Sequence, residues 1–191
     1  MRLFAVLLLA SISGCAGVNQ LAALHQVEFR FDGITDPRVA GIHLSSLRSP
    51  DDVNPLDLGR LTLAIASKDV PLDLTVRIVG RNPETNKITA KLIGLDWWYL
   101  VDGRETVSGR ITEGYQFPPG QPTEMPVLVT FNLVSFFGSD GKALLDTALA
   151  LAGQRTSTHQ VVMRLQPVID TPYGHMKYPV PLELDLAQLA R

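Results

Sequence analysis

Few of the residues that could perform chemistry lie close together in the sequence. The four histidines are far apart, and none lies at the spacing of a metal site or beside a catalytic partner: His25, His43, His159 and His175. Asp51 and Asp52 are adjacent carboxylates in a polar segment, where solvated charges are the usual outcome. The sequence therefore predicts no catalytic residue, no metal site and no cofactor. An enzyme would become credible only if His43 and Asp51 or Asp52 converged in one pocket with perturbed titration.

The remaining reactive side chain is Cys15, the only cysteine of the chain. Before it, Arg2 is followed by an apolar run over residues 3–10 that is too short to span a bilayer. A plain signal peptide with an incidental cysteine, or a buried thiol, would fit these residues. The segment Ile12-Ser13-Gly14-Cys15 also resembles the lipobox of bacterial lipoproteins, with small residues where a peptidase cleaves.

The lipobox resemblance implies a division of the chain. Residues 1–14 would be a lipoprotein signal peptide, residues 15–24 a lipidated tether and residues 25–191 the folded domain. Cys15 would carry a diacylglycerol and an N-acyl chain, and several acyl chains together make a stable membrane anchor. Because Ala16, and not Asp, follows the cysteine, the resemblance implies an outer-membrane lipoprotein that faces the periplasm.

The composition indicates one folded domain. A chain of 191 residues is long enough for a single hydrophobic core. With 19% charged and 46% apolar residues, it is too apolar for a disordered protein. A net charge of −2 provides no basic surface, so nucleic acid is not an expected partner.

Most of the chain is predicted to form strands. Apolar and polar residues alternate over residues 72–78, as in a half-buried strand. This strand ends at Asn82-Pro83, where the proline restricts the preceding residue and the Asn side chain can bond its own backbone in a turn. Asp102-Gly103, between two apolar runs, predicts a tight hairpin. Together with further alternating segments, these signals predict an all-β fold, an antiparallel β-sandwich of seven to nine strands with one inserted helix.

A long strand is predicted over residues 88–101, between the two turns. Its inward parity changes at Gly94, which we interpret as a β-bulge. Trp98 then lies on the outward parity. Because large aromatic side chains are mostly buried, we expect a helix or loop to cover Trp98. If it is exposed, it is the best candidate for contact with a partner or ligand.

The inserted helix is predicted after Ser139 or Asp140, because the apolar residues that follow recur at helical spacing as far as Gly153. Three further predictions follow, a loop from its prolines, aspartates and asparagine, and two strands from alternation. A loop over residues 48–57 precedes a strand over residues 61–65, and a final edge strand covers residues 176–186.

The turn and strand residues also carry a family resemblance. The strand ending in Asn82-Pro83, the pair Tyr99 and Gly103, and the pair Ser108-Gly109 resemble the late embryogenesis abundant (LEA) type 2 proteins and their WHy domain (water stress and hypersensitive response). The resemblance is strongest over residues 72–135 and departs from the usual pattern at Glu84. It implies a sandwich of immunoglobulin or fibronectin III type, a non-enzymatic protein and a role in stress protection.

Two functions are therefore expected. The first is a non-enzymatic envelope lipoprotein of the LEA type 2 kind that protects the envelope during desiccation or other stress, held to the membrane by the lipid on Cys15. The second is a binding module for an apolar ligand, a lipid or another envelope protein, with its site in a cleft beside the helix or on the Trp98 face.

Overall fold

The computed structural model describes residues 14–154, 156, 158–171 and 174–186. The predicted signal peptide, apart from Gly14, lies outside the described residues. The described part of the chain contains four α-helices: α1 Gly14–His25, α2 Pro55–Ala66, α3 Val134–Phe137 and α4 Gly141–Leu151. A short 3-10 helix covers Pro50–Asp52. The same residues form eleven strands: β1 Glu28–Val39, β2 Ile42–His43, β3 Pro71–Arg81, β4 Ala90–Leu92, β5 Gly94–Val101, β6 Arg104–Ile111, β7 Tyr115–Phe117, β8 Pro122–Asn132, β9 Val161–Thr171, β10 Gly174–Lys177 and β11 Leu182–Asp185.

The strands form two principal antiparallel sheets. The first has the order β2-β1-β3-β8, and the second has the order β10-β9-β5-β6, with β11 following β10 along the same edge of β9. Strands β4 and β7 form a separate small sheet. The arrangement matches an immunoglobulin-like sandwich. Strands β1, β3 and β8 take the places of strands A, B and E in one sheet. In the other sheet, β5, β9 and β10 take the places of strands C, F and G, and β6 is added beside β5.

The two sheets pack face to face around one core. The ring of Tyr99 on β5 lies 5.8 Å from the ring of Phe131 on β8, which joins the two layers. The apolar residues of alternating parity on β3, such as Leu74, Val76 and Ile78, are buried in this core. The predicted all-β sandwich is thus confirmed, and so is the predicted inward parity of β3.

The prediction of a strand over residues 61–65 is wrong, because this segment lies within helix α2. Asn54 caps the helix: its side chain accepts a hydrogen bond from the backbone N–H of Asp57, and Pro55 occupies the first turn. Leu61 is buried, whereas Leu63 is 72% exposed. Three apolar residues at a spacing of two were therefore insufficient to distinguish a strand from a helix.

The predicted strand over residues 88–101 is two strands in different sheets. β4 pairs with β7, whereas β5 pairs without interruption with β9 from Gly94 to Val101. The parity changes because the chain leaves one sheet after Leu92 and enters another at Gly94, so the predicted bulge at Gly94 is wrong. A Cβ atom on Gly94 would lie 3.1 Å from the carbonyl oxygen of Ile111, which indicates why a glycine begins this strand.

Two terminal segments also differ from expectation. Residues 15–24, expected as a tether, lie in α1, and Ala23 and Leu24 are buried in the core. The packed domain therefore begins before residue 25. The final strand is interrupted between β10 and β11, where the prolines at positions 179 and 181 provide no N–H for pairing. The predicted helix is confirmed as α4, with Asp140 as its N-cap, and the short helix α3 before it was not predicted.

Candidate functional site

An apolar groove of about 840 Å³ opens where α1 meets the edge of the sandwich. Its volume lies within the range typical of small-molecule sites. Among its described lining residues, the histidine is the only acidic or basic side chain. The lining residues come from the end of α1 and the start of β1, from β9, and from the segment between β10 and β11: Leu21, Ala22, Leu24, His25, Gln26, Val27, Phe29, Pro167, Tyr178, Pro179, Val180 and Leu182.

One wall of the groove is the end of α1, which is fixed by its own packing. Ala23 and Leu24 turn toward the core and are almost completely buried. The helix then ends in a tight turn, in which the N–H of Gln26 donates to Ala23 and the N–H of Val27 donates to Leu24. This turn leads directly into β1, so that the helix and the strand form adjoining sides of the groove.

A pair of buried asparagines fastens α1 to the sheet. The amide of Asn86 donates hydrogen bonds to the carbonyl of Ala23 at 3.0 Å and to Oδ1 of Asn82 at 2.8 Å. The amide of Asn82 donates to the carbonyls of Ile88 and Phe117. Both side chains are buried, and their polar groups would be costly to leave without partners. The position of α1 is therefore set by residues that follow β3.

The opposite wall is formed by the break between β10 and β11. The N–H of Tyr178 donates to the carbonyl of Pro167 at 2.7 Å, and Gln166 donates to the carbonyl of Tyr178. After Tyr178 the chain leaves the sheet, and Val180 is 66% exposed at the rim. The interruption that the two prolines impose on the edge strand thus creates one side of the groove.

A polar bridge joins the two walls. Nδ1 of His25, the last residue of α1, lies 2.7 Å from the hydroxyl oxygen of Tyr178. Within the part of the lining that the structure describes, only these two side chains and Gln26 carry hydrogen-bonding groups. The groove can therefore enclose an apolar chain and offers one polar contact point at its rim.

Trp98, the predicted contact residue, is not among the residues that line the groove. It lies on the outward face of β5, opposite Ser108 on β6 and Arg164 on β9, and its side chain is half-buried. On the same strand, Asp96 is buried and forms ion pairs with Arg110 and Lys177. The pKa of Asp96 lies below its usual value, mainly because the carboxylate accepts a hydrogen bond from Arg110. This part of the face is a charged cluster and not an open cleft.

The predicted hairpin at Asp102-Gly103 is confirmed, with positive φ angles of 51° and 74° at the two residues. The Asp102 carboxylate lies 2.7 Å from Nδ1 of His159 and accepts a hydrogen bond from the N–H of Gln160. The hydrogen bond with His159 makes the largest contribution to lowering the pKa of Asp102, and the bond from Gln160 adds to it. The pair was not predicted from the sequence, since 57 residues separate its members. It ties the hairpin to the segment before β9.

His43 and Asp52, the residues that an enzymatic function would require, bind other groups. His43 and Asp52 both border a depression of about 300 Å³. Nδ1 of His43 lies 3.5 Å from Asp36, and Asp52 accepts hydrogen bonds from the backbone N–H groups of Arg48 and Ser49. These backbone hydrogen bonds lower the pKa of Asp52, which makes it a weaker base. Within the described ranges, no group of three or more His, Cys, Asp or Glu side chains is arranged to hold a metal ion.

The residues that carry the family resemblance have structural roles. Pro83 begins the turn that is closed by a hydrogen bond from the N–H of Asn86, and Asn82 bonds to neighbouring segments instead of its own backbone. A Cβ atom on Gly109 would lie 2.5 Å from the indole of Trp97, so a glycine is needed for that ring to pack. The resemblance is thus carried by residues that build the sandwich.

Among the helices of the described residues, none is both long and apolar enough to cross a membrane. Cys15 lies in the first turn of α1. These observations do not test the lipidation of Cys15, which stays a prediction.

No protein-family model matches the chain, and no curated protein matches it in sequence. Several solved structures are similar to it, among them the two that follow. One is the crystal structure of a protein from Archaeoglobus fulgidus, which is 11% identical with a TM-score of 0.36; the match covers 84% of this chain and 93% of that chain. The other is the "Solution Structure of a putative late embryogenesis abundant (LEA) protein", which is 14% identical with a TM-score of 0.39; the match covers 97% of this chain and 87% of that chain.

Proposed function

We propose that the protein is a non-enzymatic binding module that holds the apolar chain of a lipid or similar molecule in the groove beside α1. The observation that carries the proposal is the groove itself, about 840 Å³ of space with an almost wholly apolar lining. The sequence predicts a binding site either beside the inserted helix, which is α4, or on the Trp98 face. The groove lies instead beside α1, which was expected to be a tether.

The chemistry of the lining favours an acyl chain. Each methylene group that leaves water for an apolar site contributes about 0.8 kcal/mol, so a chain of ordinary length gains substantial free energy in such a groove. A charged molecule would lose its hydration, and the described lining residues include no carboxylate, lysine or arginine to pair with it. The bridge between His25 and Tyr178 leaves room for one hydrogen bond to a polar end of the ligand.

The expected membrane anchor is consistent with this ligand. Cys15 precedes Leu21, the first lining residue, by six positions of α1, which is about 9 Å along a helix axis. If Cys15 is lipidated, the groove would stand close to a lipid surface. In this proposal the protein is an outer-membrane lipoprotein that faces the periplasm and takes its ligand from the envelope.

A second candidate function is protection of the envelope during drying or other stress, as in LEA type 2 proteins. It is favoured by the resemblance over residues 72–135, whose distinctive residues build the sandwich. A folded domain held at the membrane could shield lipids or proteins as water is lost. Survival after controlled drying, compared between cells with and without the gene, tests this function: a deficit restored by the wild-type copy supports it, and equal survival rejects it.

The binding function is tested with N-phenyl-1-naphthylamine, an uncharged apolar dye whose fluorescence rises in apolar sites. The full chain carries Cys15→Ser, so that no anchor lipid competes for the groove. Ala22→Trp places a large ring in the groove from an exposed position of α1. Leu128→Trp is the matched control, because Leu128 is 77% exposed on β8 and lies outside the groove.

We expect saturable dye binding by the parent chain and by Leu128→Trp, and a loss of at least tenfold in affinity with Ala22→Trp. Equal binding by all three chains, at equal melting temperature, would show that the groove is not the site. The absence of saturable binding in the parent chain would reject the function itself.

A further inference from the structure

Helix α2 presents an apolar stripe to solvent, away from the groove. Leu56 is 68% exposed and Leu63 is 72% exposed, and Gly59 and Ala66 are also exposed. These four residues follow one another at intervals of three, four and three, so they lie along one face of the helix. This is the spacing by which one helix packs against another.

Within the described part of the chain, the fold leaves this face exposed. The side of α2 that packs inward is built from Leu61, which is buried, with Ala64 and Ile65 beside it. Ile65 approaches Gly141 at the start of α4. Apart from its own helix backbone and chain neighbours, a Cβ atom on Gly59 would meet no described atom within 4 Å, so this face is open.

We propose that this stripe is a self-association surface, on which α2 packs antiparallel against α2 of a second copy of the chain. In this arrangement Leu56 meets Ala66 of the other copy, and Gly59 meets Leu63. Every large residue of the stripe then faces a small one, and the same contacts are repeated on both sides of a two-fold axis. A parallel arrangement would set Gly59 against Gly59 and leave a gap between two leucine contacts.

The charges around α2 permit this packing. Asp57 and Arg60 form an ion pair within the same helix at 3.0 Å, and the four stripe residues carry no charge. A partner of a different sequence would need its own complementary apolar stripe. A second copy supplies one by symmetry, which is why it is the occupant that the residues favour.

The surface is small and is expected to associate weakly. A helix of 12 residues is about 18 Å long, so two such helices bury less area than a standard protein interface. The surface also lies far from the groove. β1 begins among the groove residues and extends for 12 residues before β2 and α2 follow, a distance of about 40 Å for an extended strand. Association through α2 therefore leaves the groove open and does not depend on ligand binding.

The test is photo-crosslinking in cells that express two full-length copies with different epitope tags. A photoreactive phenylalanine derivative replaces Leu63, which is 72% exposed, and in a matched control it replaces Leu128, which is 77% exposed on another face. We expect a crosslinked product containing both tags with the residue 63 probe and none with the residue 128 probe. A product with an unrelated protein or with lipid alone, or no product at residue 63, would overturn the proposal.

Two substitutions of Gly59 test the packing itself. Gly59→Leu places a large residue against Leu63 of the other copy, whereas Gly59→Ala keeps a small one. Neither side chain meets an atom of its own chain at Cβ, so both variants are expected to fold. We expect Gly59→Leu to reduce the crosslinked product at least fivefold and Gly59→Ala to retain it. Equal yields from both variants would contradict the antiparallel arrangement.

Discussion

The side-chain amide of Asn86 donates a 2.8 Å hydrogen bond to Oδ1 of Asn82 in the interior of the protein. Asn86 also reaches the end of α1 at Ala23, and Asn82 reaches the segment that ends β7 at Phe117. The two amides thus join the helix that walls the groove to the sandwich. The Asn82-Pro83 turn has a structural role that extends well beyond its own backbone.

Asn86→Ala should destabilise the domain. The substitution leaves Oδ1 of Asn82 buried without a donor and removes one of the two hydrogen bonds to the Ala23 carbonyl, which keeps the bond from the N–H of Gln26. The expected cost is about 1–3 kcal/mol in the free energy of unfolding. Urea denaturation measures the loss. Asn19→Ala is the control, because Asn19 is exposed on the same helix and should change stability little. Similar stability of the two variants would show that the asparagine pair does not hold α1.

Val76→Asp should destabilise the domain by several kcal/mol, because Val76 is fully buried on β3 and the new carboxylate would have no partner in the core. Leu128→Asp changes an apolar residue that is 77% exposed on the outward face of the neighbouring strand β8. It should alter the melting temperature little. An unchanged melting temperature for Val76→Asp would contradict the sheet parity on which the core depends.

Tyr99→Phe should stabilise the domain slightly. The Tyr99 hydroxyl is completely buried, and among the described residues no group forms a hydrogen bond with it. Its removal should therefore raise the free energy of unfolding by about 1 kcal/mol. A less stable variant at pH 8 would show that the hydroxyl has a partner.

The same substitution predicts a pH dependence. Burial raises the pKa of Tyr99 in the folded state, whereas in the unfolded state the pKa is about 10. Above that pH the unfolded chain loses the proton and the folded chain keeps it, so the stability of the wild type falls as pH rises. Tyr99→Phe lacks this contribution, and its advantage in urea denaturation should grow between pH 8 and pH 10.5. A constant difference would contradict the raised pKa.

Cys15→Ala should abolish membrane association without unfolding the domain, because lipidation at Cys15 is the expected anchor and the side chains known to pack begin later in α1. Fractionation of cells that express the variant checks the first part, and the melting temperature checks the second. A variant that remains in the membrane fraction would reject the lipid anchor.

Local patterns in the sequence predicted the parts of the fold that depend on local rules. The alternation around Val76 fixed the inward face of β3, because consecutive side chains of a strand point to opposite sides. The same rule failed at Leu61, Leu63 and Ile65, where the first and third residues also fit one face of a helix. The Asn54-Pro55 start signal of that helix lies in a segment whose prolines and aspartates predict a loop.

The groove could not be predicted in this way. Its walls come from residues 21–29 and from residues near 180, which only the tertiary fold brings together. The contact that positions α1, from Asn86 to Ala23, spans 63 residues. The two prolines at the rim predict an edge strand. They do not predict the groove, because the space depends on how distant segments pack around the interruption.

The most direct test of the central claim is to map where a photoactivatable fatty acid labels the chain. The diazirine-bearing fatty acid is added to purified protein that carries Cys15→Ser, and the labelled peptides are identified by mass spectrometry. Our account predicts labels within residues 21–29 and around residues 178–182, and their loss in Ala22→Trp. Labels confined to other segments, such as α2, or no labelling at saturating fatty acid, would contradict it.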